Sequence, residues 1–362
     1  MVAKYIQVKE AIKEWILEGK IIPGEKIGSE SELMEQFNVS RHTVRQAIGE
    51  LVHEDWLYRI QGGGTYCKDR QSTVDQKHIY SQTIGIITTY ISDYIFPSII
   101  RGIESYTSEK DYSLLLTSTN NNVELEKKGL QNVLTKNING LIVEPTKSTY
   151  HNPNLNYYLN LERSQIPYVM INASYSELAA PSITVDDEKG GYIATEHLIT
   201  LGHRRIMGLF KTDDLQGIER MKGFIRAHRE HQLLPYPDMV ISFNTEDKGN
   251  RLQDTVRALL TKDKHNRPEA IVCYNDEIAL SILHVIRELS LSVPDDLSIV
   301  GYDDSHLAEA SEIKLTSVEH PKTELGRAAA ETIIKLIEKR TKNVESIVFE
   351  PKLVIRRSTK RV

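Results

Sequence analysis

Only two cysteines, Cys67 and Cys273, occur in 362 residues. They fall in different predicted domains and in no metal-ligand spacing, which excludes a disulfide scaffold and a cysteine-held metal and fits a reducing compartment with free thiols. Long hydrophobic runs are lacking too. No stretch approaches the roughly 18 uninterrupted apolar residues of a membrane span, and Met1 to Lys20 interleaves Lys, Glu and Gln with its apolar residues. The expectation is a cytoplasmic protein, neither secreted nor inserted in a membrane. An excess of positive charge is also missing. The formal net charge is -5, and the first 70 residues hold 10 Lys and Arg against 11 Asp and Glu. Indiscriminate coating of nucleic acid is thereby excluded, and any DNA contact has to be local. There is no internal repeat, no low-complexity tract, no phosphate-binding glycine loop with lysine, no Gly-x-Ser-x-Gly and no His-Glu-x-x-His. Neither a metal nor a cofactor is expected.

What is present is ordinary globular material, 40% hydrophobic and 26% charged, in a chain longer than one core usually supports. Two or three folding units follow. Tyr5, Val8, Ile12, Trp15 and Ile16 keep helical spacing until Pro23-Gly24. Ser29-Glu30-Ser31-Glu32 has the form of a capping box for a second helix carrying Leu33 and Phe37. After a turn at Asn38-Val39, Ser40 can cap a third helix. Its Val44, Ala47, Ile48 and Leu51 form one inward stripe, leaving Arg41, His42, Arg45 and Gln46 outside. Residues 56–60 and 65–67 then read as two short strands around Gly62-Gly63-Gly64. Three helices and a hairpin predict an α+β winged helix-turn-helix over residues 1–67.

Residues 68–82 are polar and aperiodic and read as a linker. Beyond them, strand candidates at 83–88, 113–117, 140–143, 167–171, 182–185, 205–210, 239–243, 269–274, 297–302 and 352–355 alternate with helical stretches such as 97–109, 187–201, 218–231, 277–289 and 322–339. That alternation predicts parallel βαβ units in doubly wound sheets, and the length suits two lobes closing on a crevice. This α/β unit is expected over 83–356.

Major-groove reading requires long planar donors on one helix face, and Arg41 and Arg45 lie one turn apart on the third helix with no acid between Ser40 and Gly49. Ser40, His42 and Thr43 at the helix start are placed toward phosphate, with Gln46 beside them. Gln61, Gly62 and Gly63 let the hairpin tip approach a groove or phosphate. An arginine pair is by itself usually a solvated face, and a glycine triplet a tight turn; their order within 70 residues is what joins them. Residues 4–67 resemble the GntR-type winged helix domain through Ser29–Leu33, Val39–Ala47 and Leu57–Thr65. The resemblance implies DNA contacts from Arg41, Thr43 and Arg45 and from Gln61 and Gly62 of the wing. Gly28 stands where that family often has Pro and Ser31 where many members have Arg, which implies one contact fewer.

In a doubly wound fold ligands sit beyond the carboxyl ends of the strands. The residues there are Tyr90, Asp93 and Phe96, then Glu144, Asn172, Arg220, Asn275, Asp276 and Asp303. Acids accept, arginine donates in a fork and asparagine does both, which suits neighbouring hydroxyls, while Tyr90 and Phe96 can cover the apolar face of a sugar ring. Each Asn-Asp or Asp-Asp pair alone is as readily a cap or turn. Residues 83–356 also resemble the LacI/GalR effector domain, a type I periplasmic-binding-protein fold, through Asp186-Asp187-x-x-Gly190-Gly191, Leu201-Gly202-His203, Arg220-x-x-Gly223-Phe224, Tyr274-Asn275-Asp276 and Val293–Asp304. The resemblance implies effector contacts from Arg220, Asn275 and Asp303, with His203, Asp186 and Asp187 serving the scaffold. The two parts together, with Thr88–Pro97, resemble the arabinose repressors. That implies operator DNA as partner, L-arabinose as inducer and a homodimer through the C-terminal domain. The alternatives are a regulator answering another sugar or a purine, a sugar-processing enzyme using two of Glu144, Asp276 and Asp303, and a transport-type solute receptor.

Overall fold

The computed structural model of the chain describes residues 3–69, 82–136, 138–339 and 344–362. Most of the expected linker, 70–81, lies outside the described residues. The head contains α1 (Lys4–Leu17), α2 (Glu30–Phe37) and α3 (Arg41–His53), followed by β1 (Leu57–Ile60) and β2 (Gly64–Cys67). Ser29 and Glu32 complete a reciprocal capping box on α2, and the Ser40 side chain accepts from the Thr43 amide to start α3. Val8, Ile12, Leu33, Val44, Ala47, Ile48, Leu51 and Leu57 are buried together, so the stripe read from the sequence is the core of the head. The strands pair antiparallel from Leu57–Cys67 to Ile60–Gly64.

The body consists of β3 (Thr83–Thr88), α4 (Phe96–Ser108), β4 (Ser113–Ser118), α5 (Val123–Thr135), β5 (Gly140–Val143), α6 (Leu155–Arg163), β6 (Tyr168–Ile171), β7 (Ser182–Val185), α7 (Asp187–Thr200), β8 (Ile206–Lys211), α8 (Leu215–Glu230), β9 (Val240–Phe243), α9 (Asn250–Leu260), β10 (Ala270–Cys273), α10 (Asp276–Glu288), β11 (Ser298–Asp303), α11 (His306–Ala310), β12 (Thr316–Glu319), α12 (Lys322–Lys339), β13 (Ile347–Phe349) and β14 (Leu353–Val354). Lobe 1 is a six-stranded parallel sheet in the order β13-β7-β6-β5-β3-β4. Lobe 2 has the order β14-β12-β11-β10-β8-β9, with β14 antiparallel. The chain passes between lobes near 186, 320 and 351, because α12 packs on α4 and β13 pairs with β7 before β14 returns to β12.

Two strands depart from the sequence reading. β12 is an interior strand of lobe 2 whose Thr316 and Ser317 are fully buried, yet its composition lacks the apolar run expected of such a strand. β13 is an edge strand with Val348 exposed, so its short apolar run carries no strong pattern. Both cysteines are buried and unpaired. Among the described residues no helix is long and apolar enough to cross a membrane, and no cluster of His, Cys, Asp and Glu is arranged to hold a metal ion.

Candidate functional site

On the head, Arg41, His42, Arg45 and Gln46 are exposed along α3, with Thr43 half-buried beside them. Ser40 is exposed but its hydroxyl is engaged in capping, accepting from the Thr43 amide at 3.3 Å and lying 2.9 Å from the Thr43 hydroxyl. The face is not free of acid. Glu30 of α2 reaches across and accepts from Arg45 Nε at 2.8 and 3.0 Å, with Arg41 Nε at 3.6 Å. A search confined to the sequence of α3 misses this partner, because it comes from the neighbouring helix. The carboxylate draws the two guanidinium groups together on one exposed surface. In the wing Gln61 and Gly62 are exposed and Gly63 is half-buried. Gly62 has φ +74°, in the left-handed region that favours glycine, so the tip turns without strain.

The cleft between the lobes is lined by Tyr90, Asp93, Phe96, Glu144, Asn172, Arg220, Asn275 and Asp303, eight of the nine residues singled out for a ligand. Asp276, the ninth, does not line it. Its carboxylate is turned beneath, accepting from the Ser305 amide and hydroxyl at 2.8 and 2.9 Å and from the Ser317 hydroxyl at 2.7 Å. Burial pushes its pKa up to about 7. It is a buried brace, since the first residue of α10 points back into the sheet while the capping Asn275 stays at the rim, accepting from the Ile278 amide through Oδ1.

Arg220 is buried in α8. Its Nε donates to Asp187 Oδ1 at 2.8 Å, one terminal nitrogen donates to the Tyr274 carbonyl at 2.7 Å and the other reaches Asp303 Oδ1 at 3.5 Å. The Tyr302 ring lies 3.5 Å from the guanidinium carbon. Burial opposes the charge, but Asp187 and Asp303 outweigh it and hold the arginine pKa well above its ordinary value. Asp187 thus orients Arg220. Across the cleft Glu144 accepts from the Thr89 amide at 2.7 Å, the Thr89 hydroxyl at 2.5 Å and the Asn172 side-chain amide at 2.8 Å. Burial raises the Glu144 pKa against these donors. His320, at a crossing between lobes, lies 3.2 Å from Asn172 Oδ1 through Nε2, and burial lowers its pKa to about 3. A neutral His320 therefore donates to Asn172 and fixes which way that amide faces Glu144. His203 is buried against the Lys360 carbonyl, away from the cleft.

Several lining residues escaped the sequence reading: Thr89, Lys211, Asp214, Gln216 and Tyr274. Lys211 is buried between Asp213 Oδ1 at 3.0 Å and Asp214 Oδ2 at 2.8 Å, and the Tyr274 hydroxyl donates to the same Asp214 oxygen at 2.8 Å. β8 runs one residue further than expected, to Lys211, and the strand-end rule applied there finds the Lys211–Asp214 segment. The cleft holds interleaved donors and acceptors beside the Tyr90–Phe96 ring pair, whose centroids are 5.6 Å apart. That is a surface for a polyhydroxylated ligand with one apolar face. Glu144, Asp276 and Asp303, the acids weighed for general acid–base work, are each engaged by neighbouring donors.

Residues 4–67 match the family model of bacterial regulatory proteins of the gntR family, and residues 195–359 match a periplasmic binding protein-like domain. The chain is 55% identical over 368 aligned positions to the arabinose metabolism transcriptional repressor of Halalkalibacterium halodurans, covering 99% of this chain and 97% of that one. It is 51% identical to the protein of the same description from Geobacillus stearothermophilus, covering 99% and 98%. Among solved structures, the transcription regulator CcpA of Lactococcus lactis superposes with a TM-score of 0.67 at 26% identity, over 77% of this chain and 100% of that one. These relatives are regulators, which sets aside the enzyme alternative. Identity of 51–55% along nearly the whole of both chains, with the gntR-family match over the winged helix, places the chain in the family of arabinose metabolism transcriptional repressors.

Proposed function

We propose that the chain is a cytoplasmic homodimeric repressor that grips operator DNA through the head and lets go when L-arabinose closes the body. The division is a winged helix over 1–67, a linker over 68–82 and an effector-binding and dimerisation unit over 83–356. DNA is contacted by Ser40, Arg41, His42, Thr43, Arg45 and Gln46 of α3 and by Gln61, Gly62 and Gly63 of the wing. The sugar is held by Tyr90, Asp93, Phe96, Glu144, Asn172, Arg220, Asn275 and Asp303, joined by Lys211 and Asp214. The observation that carries this reading is the cleft itself: Glu144 on lobe 1 and Arg220–Asp303 on lobe 2 present an acceptor and a forked donor across one gap. The names of the relatives supply the choice of sugar.

Calorimetry against L-arabinose, D-ribose, D-xylose, D-glucose and a purine should show one tight ligand, L-arabinose, and that same sugar should release operator DNA in a mobility-shift titration. A purine or hexose binding in its place overturns the ligand assignment. Arg45→Ala should weaken specific operator binding by about 1–3 kcal/mol, the value of one bidentate base contact, with sugar affinity unchanged. Operator binding equal to the unaltered protein would remove α3 as the reading helix.

A further inference from the structure

The C-terminal end of α1 is acidic on its own account. Glu14 and Glu18 sit at the pole where the helix dipole is negative, and the last turn carries no basic residue. Lys20 pairs with Glu18 at 2.6 Å from within the head, and the other compensating groups come from lobe 1. Lys127 of α5 pairs with Glu14 and lies 3.9 Å from Glu18. The side-chain amide of Asn160, on α6, donates to the carbonyls of Ile16 at 3.3 Å and Leu17 at 2.7 Å, and the Tyr157 hydroxyl is 3.5 Å from Glu18. The Ile16 carbonyl also accepts from the Gly19 amide at 3.1 Å, whereas the Leu17 carbonyl is of the kind a helix end leaves in need of an outside partner. Beneath this polar rim the buried side chains of the head and of lobe 1 form one cluster that includes Leu17, Leu130 and Tyr157.

The same two helices are tied to the cleft. Glu126, next to Lys127, is buried and accepts from Tyr158 at 2.8 Å, Tyr175 at 2.7 Å, Asn154 at 2.8 Å and Asn152 at 3.1 Å. The Tyr175 hydroxyl also receives the Thr146 amide at 2.7 Å, two residues beyond Glu144. The segment that follows latches the lobes together: Leu215 of lobe 2 donates its amide to Ser148 at 2.8 Å, Thr149 donates to the Thr212 carbonyl at 2.8 Å, and Lys147 pairs with Glu246 at 2.6 Å. A continuous set of contacts therefore runs from the lobe–lobe latch through Tyr175 and Glu126 to the helices that hold α1. The reading face of α3 stays exposed throughout, so the contact orients the head without covering it.

We propose that the α5–α6 face of lobe 1 is a docking surface for the C-terminal turn of α1, and that this contact transmits lobe closure to the operator-reading head. The proposal rests on the sugar-released operator binding described above. A Cβ atom on residue 19 would stand 3.8 Å from that of Asn160, within the range of a disulfide, although Gly19 has φ +72°, where a side chain adds backbone strain that the cross-link has to overcome. The full-length Gly19→Cys/Asn160→Cys variant should therefore form an intrachain cross-link under mild oxidation, read on a non-reducing denaturing gel. Lys127→Glu should shrink the ratio of operator Kd with and without L-arabinose by about tenfold, a typical size for allosteric coupling, while calorimetric sugar affinity holds. Glu14→Lys combined with Lys127→Glu should restore the ratio. An unaltered ratio in Lys127→Glu, or no restoration by the charge swap, would overturn the proposal. A ratio of one in the unaltered protein would overturn the function proposed above instead.

Discussion

Three acceptors and an aromatic face converge on the guanidinium of Arg220, and its role cannot be separated from its support. Replacing it by Ala strands Asp187 and Asp303 as buried acids without their cation, and breaking a buried pair in this way costs about 3–5 kcal/mol. Arg220→Ala should lose sugar binding in calorimetry and lower the urea midpoint of the body together. Loss of binding at full stability would mean that Arg220 touches only the ligand and does not brace the cleft. The neighbouring pair Asn275-Asp276 shows how far residue type alone carries. Both were legible as candidates, but a helix cap and a buried brace are one residue apart, and the direction of the side chain at the start of α10 decides which faces the cleft. On α3 the reverse holds. The exposed arginines follow from helical spacing, whereas the Glu30 partner, 15 residues from Arg45 along the chain, enters through packing of α2 on α3.

Helix contacts explain the glycines of the motifs that border Arg220. A Cβ on Gly191 of α7 would collide with the Arg220 carbonyl, and one on Gly223 of α8 would collide with the Glu188 carbonyl. The two helices touch backbone to backbone, and that contact sets the depth of Arg220 in the cleft. Gly223→Ala should force α8 outward, costing about 1–3 kcal/mol as an overpacked site does. Sugar affinity should fall with it while operator affinity in the absence of sugar holds. Urea unfolding and calorimetry check both, and unchanged values would place the α7–α8 contact away from the functional geometry. Most strands of the body were legible because buried parallel strands are apolar runs between turn residues. β12 was not, since its buried hydroxyls are satisfied by neighbours remote in sequence: the Ser317 hydroxyl donates to Asp276, and the Thr316 hydroxyl accepts from the Arg356 amide.

For the molecule as a whole, releasing an operator means coupling two sites through the arrangement of lobes and heads. Reversing occupancy from 99:1 to 1:99 requires about 5.5 kcal/mol of differential affinity. Because coupling between binding sites is reciprocal, operator DNA should weaken L-arabinose binding by the same factor by which the sugar weakens operator binding. Calorimetry of sugar into the free protein and into the operator complex, set against mobility shifts with and without sugar, measures both factors. Unequal factors would mean that a further equilibrium, such as dimer dissociation, enters the cycle. The class of each part was legible from residues alone. Periodicity, caps and strand-end polarity are local properties, and they marked out the winged helix, the α/β body and nine candidates of which eight line the cleft. Only packing set what those residues do to one another: that Glu30 pairs with the α3 arginines, that Asp276 braces while Asn275 faces the cleft, that His320 sets Asn172, and that α1 rests on α5 and α6. Each of these is a contact between segments far apart in the chain, and such a contact is fixed by packing and by the pairing of buried polar groups, neither of which leaves a periodic trace in the sequence.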